Sequence, residues 1–179
     1  MQQETKINKE RIGVLIGKEG SIKAKIEGQT KTKITVDSTG GLVLVEGEDA
    51  DLFLRAVAAI QAISCGFSPE RAFVLLEEED VYIEVIDISD GASNPDQLDR
   101  LRGRIIGRSG RARTQIEDMT QTVISVYGKT VAVIGDVEQI RVALDAIDML
   151  ISGVEHETVF SFLEKKRREA KQNMISYYY

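Results

Sequence analysis

Hydrophobic positions follow two rhythms along this chain, and the order in which the rhythms occur is repeated. Lys33-Ile34-Thr35-Val36 alternates as a half-buried strand does, Asp37 to Gly41 turns, and Leu42-Val43-Leu44-Val45 returns. Apolar residues at Leu52, Ala56, Ala59, Ile60 and Ile63 then predict a helix from Asp49 to about Cys65, closed by Gly66. Further on, a strand over Val123 to Tyr127, a tight Gly128-Lys129 turn and a strand over Thr130 to Ile134 lead into a helix over Val137 to Ser152. Asp136 caps that helix, Ile140, Ala143, Leu144, Ile147 and Leu150 form its stripe, and Gly153 ends it.

The segments ahead of each pair of strands also correspond. Thr5 to Ile7 and Val81 to Ile86 read as short first strands. Asn8 is placed to cap a helix over Lys9 to Ile16, and Asn94-Pro95-Asp96-Gln97, with a capping-box glutamine, starts one that ends at Ile106. Second helices follow over Ser21 to Gln29 and from Arg111 to about Thr120. Ser68-Pro69-Glu70 opens a short joining helix to about Leu76, and an acidic turn covers Glu77 to Asp80. The last helix, from about Glu155 to Lys171, carries Val159, Phe162 and Leu163 and then Lys165-Lys166-Arg167-Arg168. Its apolar end is expected to dock on the second repeat; its basic end reads equally as a solvated face or an RNA contact. Tyr177-Tyr178-Tyr179 reads as a frayed end, with stacking as the alternative.

At an offset of 90 residues, Gly13, Ile16, Gly17, Gly20, Ile26, Glu27, Thr30, Ile34 and Val36 match Gly103, Ile106, Gly107, Gly110, Ile116, Glu117, Thr120, Ile124 and Val126. No insertion is needed between Gly13 and Val36, so the chain holds two adjacent copies of one module. The expected division is 1–66 for the first module, 67–80 for a helical and acidic linker, 81–153 for the second module, and 154–179 for the C-terminal helix and tail.

Each copy runs an apolar helix into Gly-x-x-Gly and out into a second helix. Glycine permits positive φ and close backbone approach, and amides at the start of the next helix add partial positive charge. A sugar-phosphate backbone fits there. A Walker loop does not: only three residues separate Gly13 from Gly17, Glu19 follows Lys18, and no Gly-x-Gly-x-x-Gly occurs.

With the repeated loop and its flanks in view, both copies resemble type I KH domains, in which Gly-x-x-Gly clamps about four nucleotides of single strand. From Thr5 to Lys171 the tandem is similar to the archaeal form of the two-KH small-subunit ribosome-assembly factor, known in eukaryotes as the partner of the Nob endonuclease. The resemblance implies an α+β fold of two three-stranded antiparallel sheets with helices on one face, plus a C-terminal helix. It also implies binding near the 3′ end of small-subunit ribosomal RNA during assembly or processing, with a 3′-end endonuclease as a possible protein partner. The eukaryotic relatives have a degenerate first loop, whereas Gly17-Lys18-Glu19-Gly20 is intact here.

The net charge of −6 at first argues against an RNA ligand, and its distribution reverses that. Met1 to Val36 holds eight lysines or arginines against four glutamates, and Arg100 to Arg113 holds six arginines and no acid. Glu46 to Asp99 holds fourteen acids against two arginines, either a solvated face or a partner surface. Local potential governs association more than the total does. The single cysteine, Cys65, reads as buried filler and fits a reducing cytoplasm; neither a membrane span nor a signal peptide is expected. His156 is the only histidine, it reads as a surface residue at a helix start, and no nucleophile pattern or metal spacing accompanies it. The reading is therefore a non-enzyme with no cofactor.

The expected phosphate contacts are the amides of Gly17–Gly20 and Gly107–Gly110, with Lys18, Lys23, Arg104, Arg108, Arg111 and Arg113 around them and Glu19 and Ser109 in the loops. Bases are expected in a groove between these helices and the following strand, lined by Ile16, Ile26 and Ile34 in one copy and Ile106, Ile116 and Ile124 in the other. Aromatic residues are sparse near both loops, so base edges and aliphatic contact are expected rather than ring stacking. The alternative is a protein-interaction scaffold with one module turned into a docking surface.

Overall fold

The computed structural model describes residues 1–178 and divides into two units, Met1–Ile83 and Glu84–Tyr179. The first contains β1 (Gln2–Lys6), α1 (Lys9–Ile16), α2 (Ser21–Thr30), β2 (Lys33–Asp37), β3 (Leu42–Glu46), α3 (Ala50–Ser64), α4 (Pro69–Ala72) and α5 (Val74–Glu77). The second module repeats the series as β4 (Tyr82–Asp87), α6 (Pro95–Ile106), α7 (Arg111–Thr120), β5 (Val123–Tyr127), β6 (Thr130–Gly135) and α8 (Val137–Ile151), followed by α9 (His156–Tyr178). The sheets have strand orders β1-β3-β2 and β4-β6-β5. The two-module α+β expectation is met.

The alternation seen in sequence sets the strand register. Ile34 faces Val45 and Val36 faces Val43; in the second module Ile124 faces Val133 and Val126 faces Val131. Ile34, Val43, Val45, Ile124, Val131 and Val133 are buried against the helices, each such side chain contributing about 1.5–3 kcal/mol when fully enclosed.

The matched polar residues make matched bonds. The Thr30 hydroxyl donates to the Ile26 carbonyl (2.6 Å) and lies 2.7 Å from the Thr32 hydroxyl. Thr120, Ile116 and Thr122 repeat the arrangement at 2.7 and 2.8 Å. The Glu27 carboxylate accepts from the Ile34 amide at 2.7 Å, and Glu117 accepts from Ile124 at 2.8 Å. These contacts tie the end of the second helix to the start of the next strand.

Several expectations shift. β1 lies over Gln2–Lys6 rather than Thr5 to Ile7, because β3 supplies its partners and its own polar sequence carries no alternation. Asn8 precedes α1 without a side-chain cap, while Asn94 accepts the Gln97 amide at 2.9 Å. The Gln97 side chain accepts from Ser93, one residue ahead of the cap. Cys65 is half-buried at the end of α3. The predicted joining helix is two single-turn pieces, α4 and α5, and Phe67, Ala72, Phe73, Leu75 and Leu76 bury in the first unit. Residues 67–80 therefore belong to that unit rather than hanging between modules. α9 extends beyond Lys171 through Tyr178; Tyr177 and Tyr178 are helical and exposed, and Tyr179 lies outside the described residues.

Packing explains why the joining segment is no linker. Counting from the helix-ending Gly66 and Gly153, Ala72, Phe73 and Leu76 correspond to Val159, Phe160 and Leu163 at an offset of 87. Val159 and Leu163 complete the core of the second module, with Phe160 packed at its edge. Both repeats thus include one more helical element, cut short in the first copy and extended in the second. At the same offset the acids Glu78, Glu79 and Asp80 fall opposite Lys165, Lys166 and Arg167.

Candidate nucleic-acid interface

The two glycine loops have nearly the same backbone. Gly17 and Gly107 have φ of 74° each, Glu19 and Ser109 have φ of 54° and 56°, and Gly20 and Gly110 have φ of 76° and 75°. A Cβ on Gly107 would stand 2.6 Å from the Ala112 Cβ and 2.8 Å from its amide nitrogen, so the first glycine is required by a close approach as well as by φ. Space beside Gly20 is open and a Cβ on Gly110 would meet only the Arg113 Nη2 at an ordinary contact distance, so only the left-handed backbone requires glycine at these two positions. Neither α2 nor α7 has a side-chain cap at its start. The Gly20 and Gly110 amides close turns onto the Gly17 and Gly107 carbonyls at 3.3 and 3.2 Å, and the Ser21 and Arg111 amides donate to the Lys18 and Arg108 carbonyls. The positive end of each helix dipole points toward the loop.

Around the second loop the structure assembles a groove of about 660 Å³ lined by α6, α7 and the start of α9. Arg100, Arg104, Arg108 and Arg111 bring positive charge to it, and His156 and Phe160 bring rings. Among the described residues no carboxylate pairs with Arg108 or Arg111. The Arg113 guanidinium sits beside Gly110, about 3.7 Å from where a Cβ there would lie. Its Nε is enclosed without a hydrogen-bond partner.

The site departs from the sequence expectation in five ways. The groove is walled by α6, α7 and α9, and no residue of the following strand β5 lines it. Ile26, Ile34, Ile116 and Ile124, expected to touch bases, are at most 1% exposed. They fill the space between helices and sheet and are corrected to core residues. Ile16 and Ile106, at the ends of α1 and α6, remain half-buried beside the loops. Arg104, expected on phosphate, donates from Nε to the Leu150 carbonyl (2.9 Å) and from Nη2 to the Val154 carbonyl (2.6 Å). It closes the C-terminal end of α8 and lines the groove as part of its wall. Aromatic residues are present after all, because α9 folds back and sets Phe160 and His156 near Gly107. The His156 Nε2 lies 2.7 Å from the Arg104 carbonyl, so this residue is a tether and not a free surface histidine. The matching phenylalanines, Phe73 and Phe160, were the available sequence signal.

The first loop is less well supplied. Lys18 and Glu19 are exposed, and Lys23 lies 4.0 Å from Glu27. The positions corresponding to Arg100, Arg104 and Arg111 are Glu10, Val14 and Ser21. Lys25 lies 4.1 Å above the Phe73 ring and 4.0 Å from Glu77, covering the aromatic face that Gln115 leaves open over Phe160 in the second module.

Comparisons agree with this architecture. Residues 82–168 match a family model described as a eukaryotic-type KH domain of type I, and residues 2–62 match a KH-domain model. A KH domain-containing protein of Methanocaldococcus jannaschii is 40% identical over 93% of this chain and 74% of its own length. The pre-rRNA-processing protein pno1 of Schizosaccharomyces pombe is 30% identical over 71% of this chain and 53% of its own. Among solved structures, Dim2p from Pyrococcus horikoshii superposes with a TM-score of 0.85 at 48% identity, covering 92% of this chain and 99% of that one. The complex of a/eIF2alpha, aDim2p and rRNA from the same organism contains a chain matched with a TM-score of 0.88 at 47% identity, over 94% of this chain and 95% of that one. With both modules matched in order and the relatives aligned across the tandem, the chain belongs to the Dim2/PNO1 family of two-KH-domain proteins.

Proposed function

We propose that this protein binds single-stranded ribosomal RNA of the small subunit, near its 3′ end, during ribosome assembly, and does so in the cytoplasm as a binding protein rather than an enzyme. The observation that carries the reading is the arginine-lined groove at Gly107–Gly110, where a helix start without a side-chain cap meets Arg108 and Arg111, neither of them paired with a carboxylate among the described residues. Membership in a family that includes a pre-rRNA-processing protein and an rRNA-bound neighbour supports it. Phosphates sit on the loop amides with Arg108, Arg111 and Arg113 around them. The second module supplies most of the affinity and the first extends the footprint or sets register. Arginine suits this work because its planar fork holds phosphate through two donors at once.

Titration against short RNA at several salt concentrations tests the reading. About four to six neutralised phosphates give a slope of roughly −3 to −4 in log affinity against log salt. A flat response sinks it in favour of a protein-docking role. One observation favours that second role for the first module: its Phe73 and Lys25 are bordered by Glu77 to Asp80, an acidic edge that repels RNA.

A further inference from the structure

The groove at the second loop does not end at Phe160. A second recess of about 560 Å³ between α7 and α9 shares Gln115 and Phe160 with the first and adds Met119, Arg167, Arg168 and Lys171. Phe160, Glu164, Arg167, Arg168 and Lys171 recur at helical spacing on one face of α9, and Gln115 and Met119 are four apart on α7. From Phe160 to Lys171 the face runs about 16 Å at the rise of an α-helix. Glu164 is the one acid among the lining residues, against three cations, and no carboxylate among the described residues pairs with Arg167, Arg168 or Lys171. The first module has no such track: α5 ends at Glu77, acids follow, and Lys25 lies over the ring.

We propose that an RNA strand clamped at Gly107–Gly110 continues along this α7–α9 track, with its phosphates on Arg167, Arg168 and Lys171 and a base laid against the Phe160 ring. This rests on the RNA-binding reading above and extends it beyond the loop to a second site built by α9. Charge selects the occupant, since a polyanion gains from every cation on the track while an acidic helix would meet Glu164. Continuity with the loop groove allows one strand to use both recesses. The footprint of the second module thereby exceeds the roughly four nucleotides that a Gly-x-x-Gly loop clamps.

The test uses the full chain and two RNAs from one target sequence, a tetranucleotide and an oligonucleotide of about ten nucleotides, titrated by fluorescence anisotropy. The variant Arg167→Glu/Arg168→Glu/Lys171→Glu is expected to keep tetranucleotide affinity and to lose about tenfold or more on the longer RNA, with the salt slope flattened by roughly 2. Arg167→Gln/Arg168→Gln/Lys171→Gln, which adds no repulsion, is expected to lose in the same length-dependent way, and circular dichroism checks that both fold. Unchanged affinity for the longer RNA overturns the proposal and leaves the track to another occupant, such as an acidic protein segment. Equal loss on both lengths also overturns it, because a distant field acts on any RNA. Arg108→Asp/Ser109→Asp separates the two levels. If it leaves tetranucleotide binding intact, the loop reading itself fails; if it abolishes that binding while the α9 variants lose nothing, only the extension falls.

Discussion

The two modules have the same loop backbone and different surroundings, and the difference lies largely in charge and in the chain after the third long helix of each. Loop φ angles agree within about two degrees, yet the second loop is framed by Arg100, Arg108 and Arg111 where the first has Glu10, Lys18 and Ser21. After the helix-ending glycine the first copy stops at Glu77 and turns acidic, and the second continues through Tyr178 with a basic face. A shared fold thus sets where a ligand would lie, while a few side chains at its border set whether a polyanion stays.

The sharpest way to break that comparison is to reverse charge in each loop. Arg108→Asp/Ser109→Asp is expected to cost more than tenfold in RNA affinity, since charge-assisted hydrogen bonds of about 1.5–3 kcal/mol each give way to repulsion. Lys18→Asp is expected to cost less than Arg108→Asp when both folded variants are titrated with the same RNA. A larger loss for Lys18→Asp reverses the ranking of the modules.

A second pair tests a part that the two modules build differently. Arg11 donates from Nε to the Ile63 carbonyl at 2.8 Å and from Nη2 to the Phe67 carbonyl at 2.7 Å. Arg104 makes the same two bonds to Leu150 and Val154, although Arg11 aligns with Leu101 and Arg104 with Val14. One turn apart on their helices, the two arginines reach the same place. Arg11→Met and Arg104→Met are each expected to lower stability by about 2–3 kcal/mol, because charged donors to helix-end carbonyls are lost. Val14→Arg added to Arg11→Met is expected to restore part of the loss in chemical denaturation, and no recovery would show that the position is not interchangeable.

Smaller effects are expected from the matched parts. Thr30→Val and Thr120→Val each remove one buried hydroxyl with two partners and are expected to cost about 1–2 kcal/mol, equal between modules within error. Unequal costs in thermal or denaturant melts would deny the equivalence of the two clasps. Least of all, Lys25→Gln uncovers Phe73 as Gln115 leaves Phe160 uncovered, and its expected cost is about 0.5–1 kcal/mol from the cation–π contact. A neutral result would leave the covering of Phe73 without energetic weight.

Much of this was legible in the residues themselves. Period-two alternation at Ile34 and Val36, and again at Ile124 and Val126, determined which strand faces pack, because a strand's side chains alternate between its two faces. The glycines at 17, 20, 107 and 110 determined the loops, since positive φ and the approach of Ala112 leave little choice of residue. The repeat itself determined the module count. Tertiary structure decided the rest. It took the four buried isoleucines out of the proposed groove, because an apolar residue on the inner face of a helix looks the same in sequence whether a base or a β-strand covers it. It assigned residues 67–80 to the first unit, since Phe67, Phe73 and Leu76 have a core to enter only once α3 is in place. It spent Arg104 on carbonyls 46 and 50 residues away, and it carried Phe160 and His156 to a loop some 50 residues earlier in the chain. Local pattern encodes which face of an element is apolar. Which distant element covers that face, and which arginine is left over for a ligand, is settled only when the helices pack.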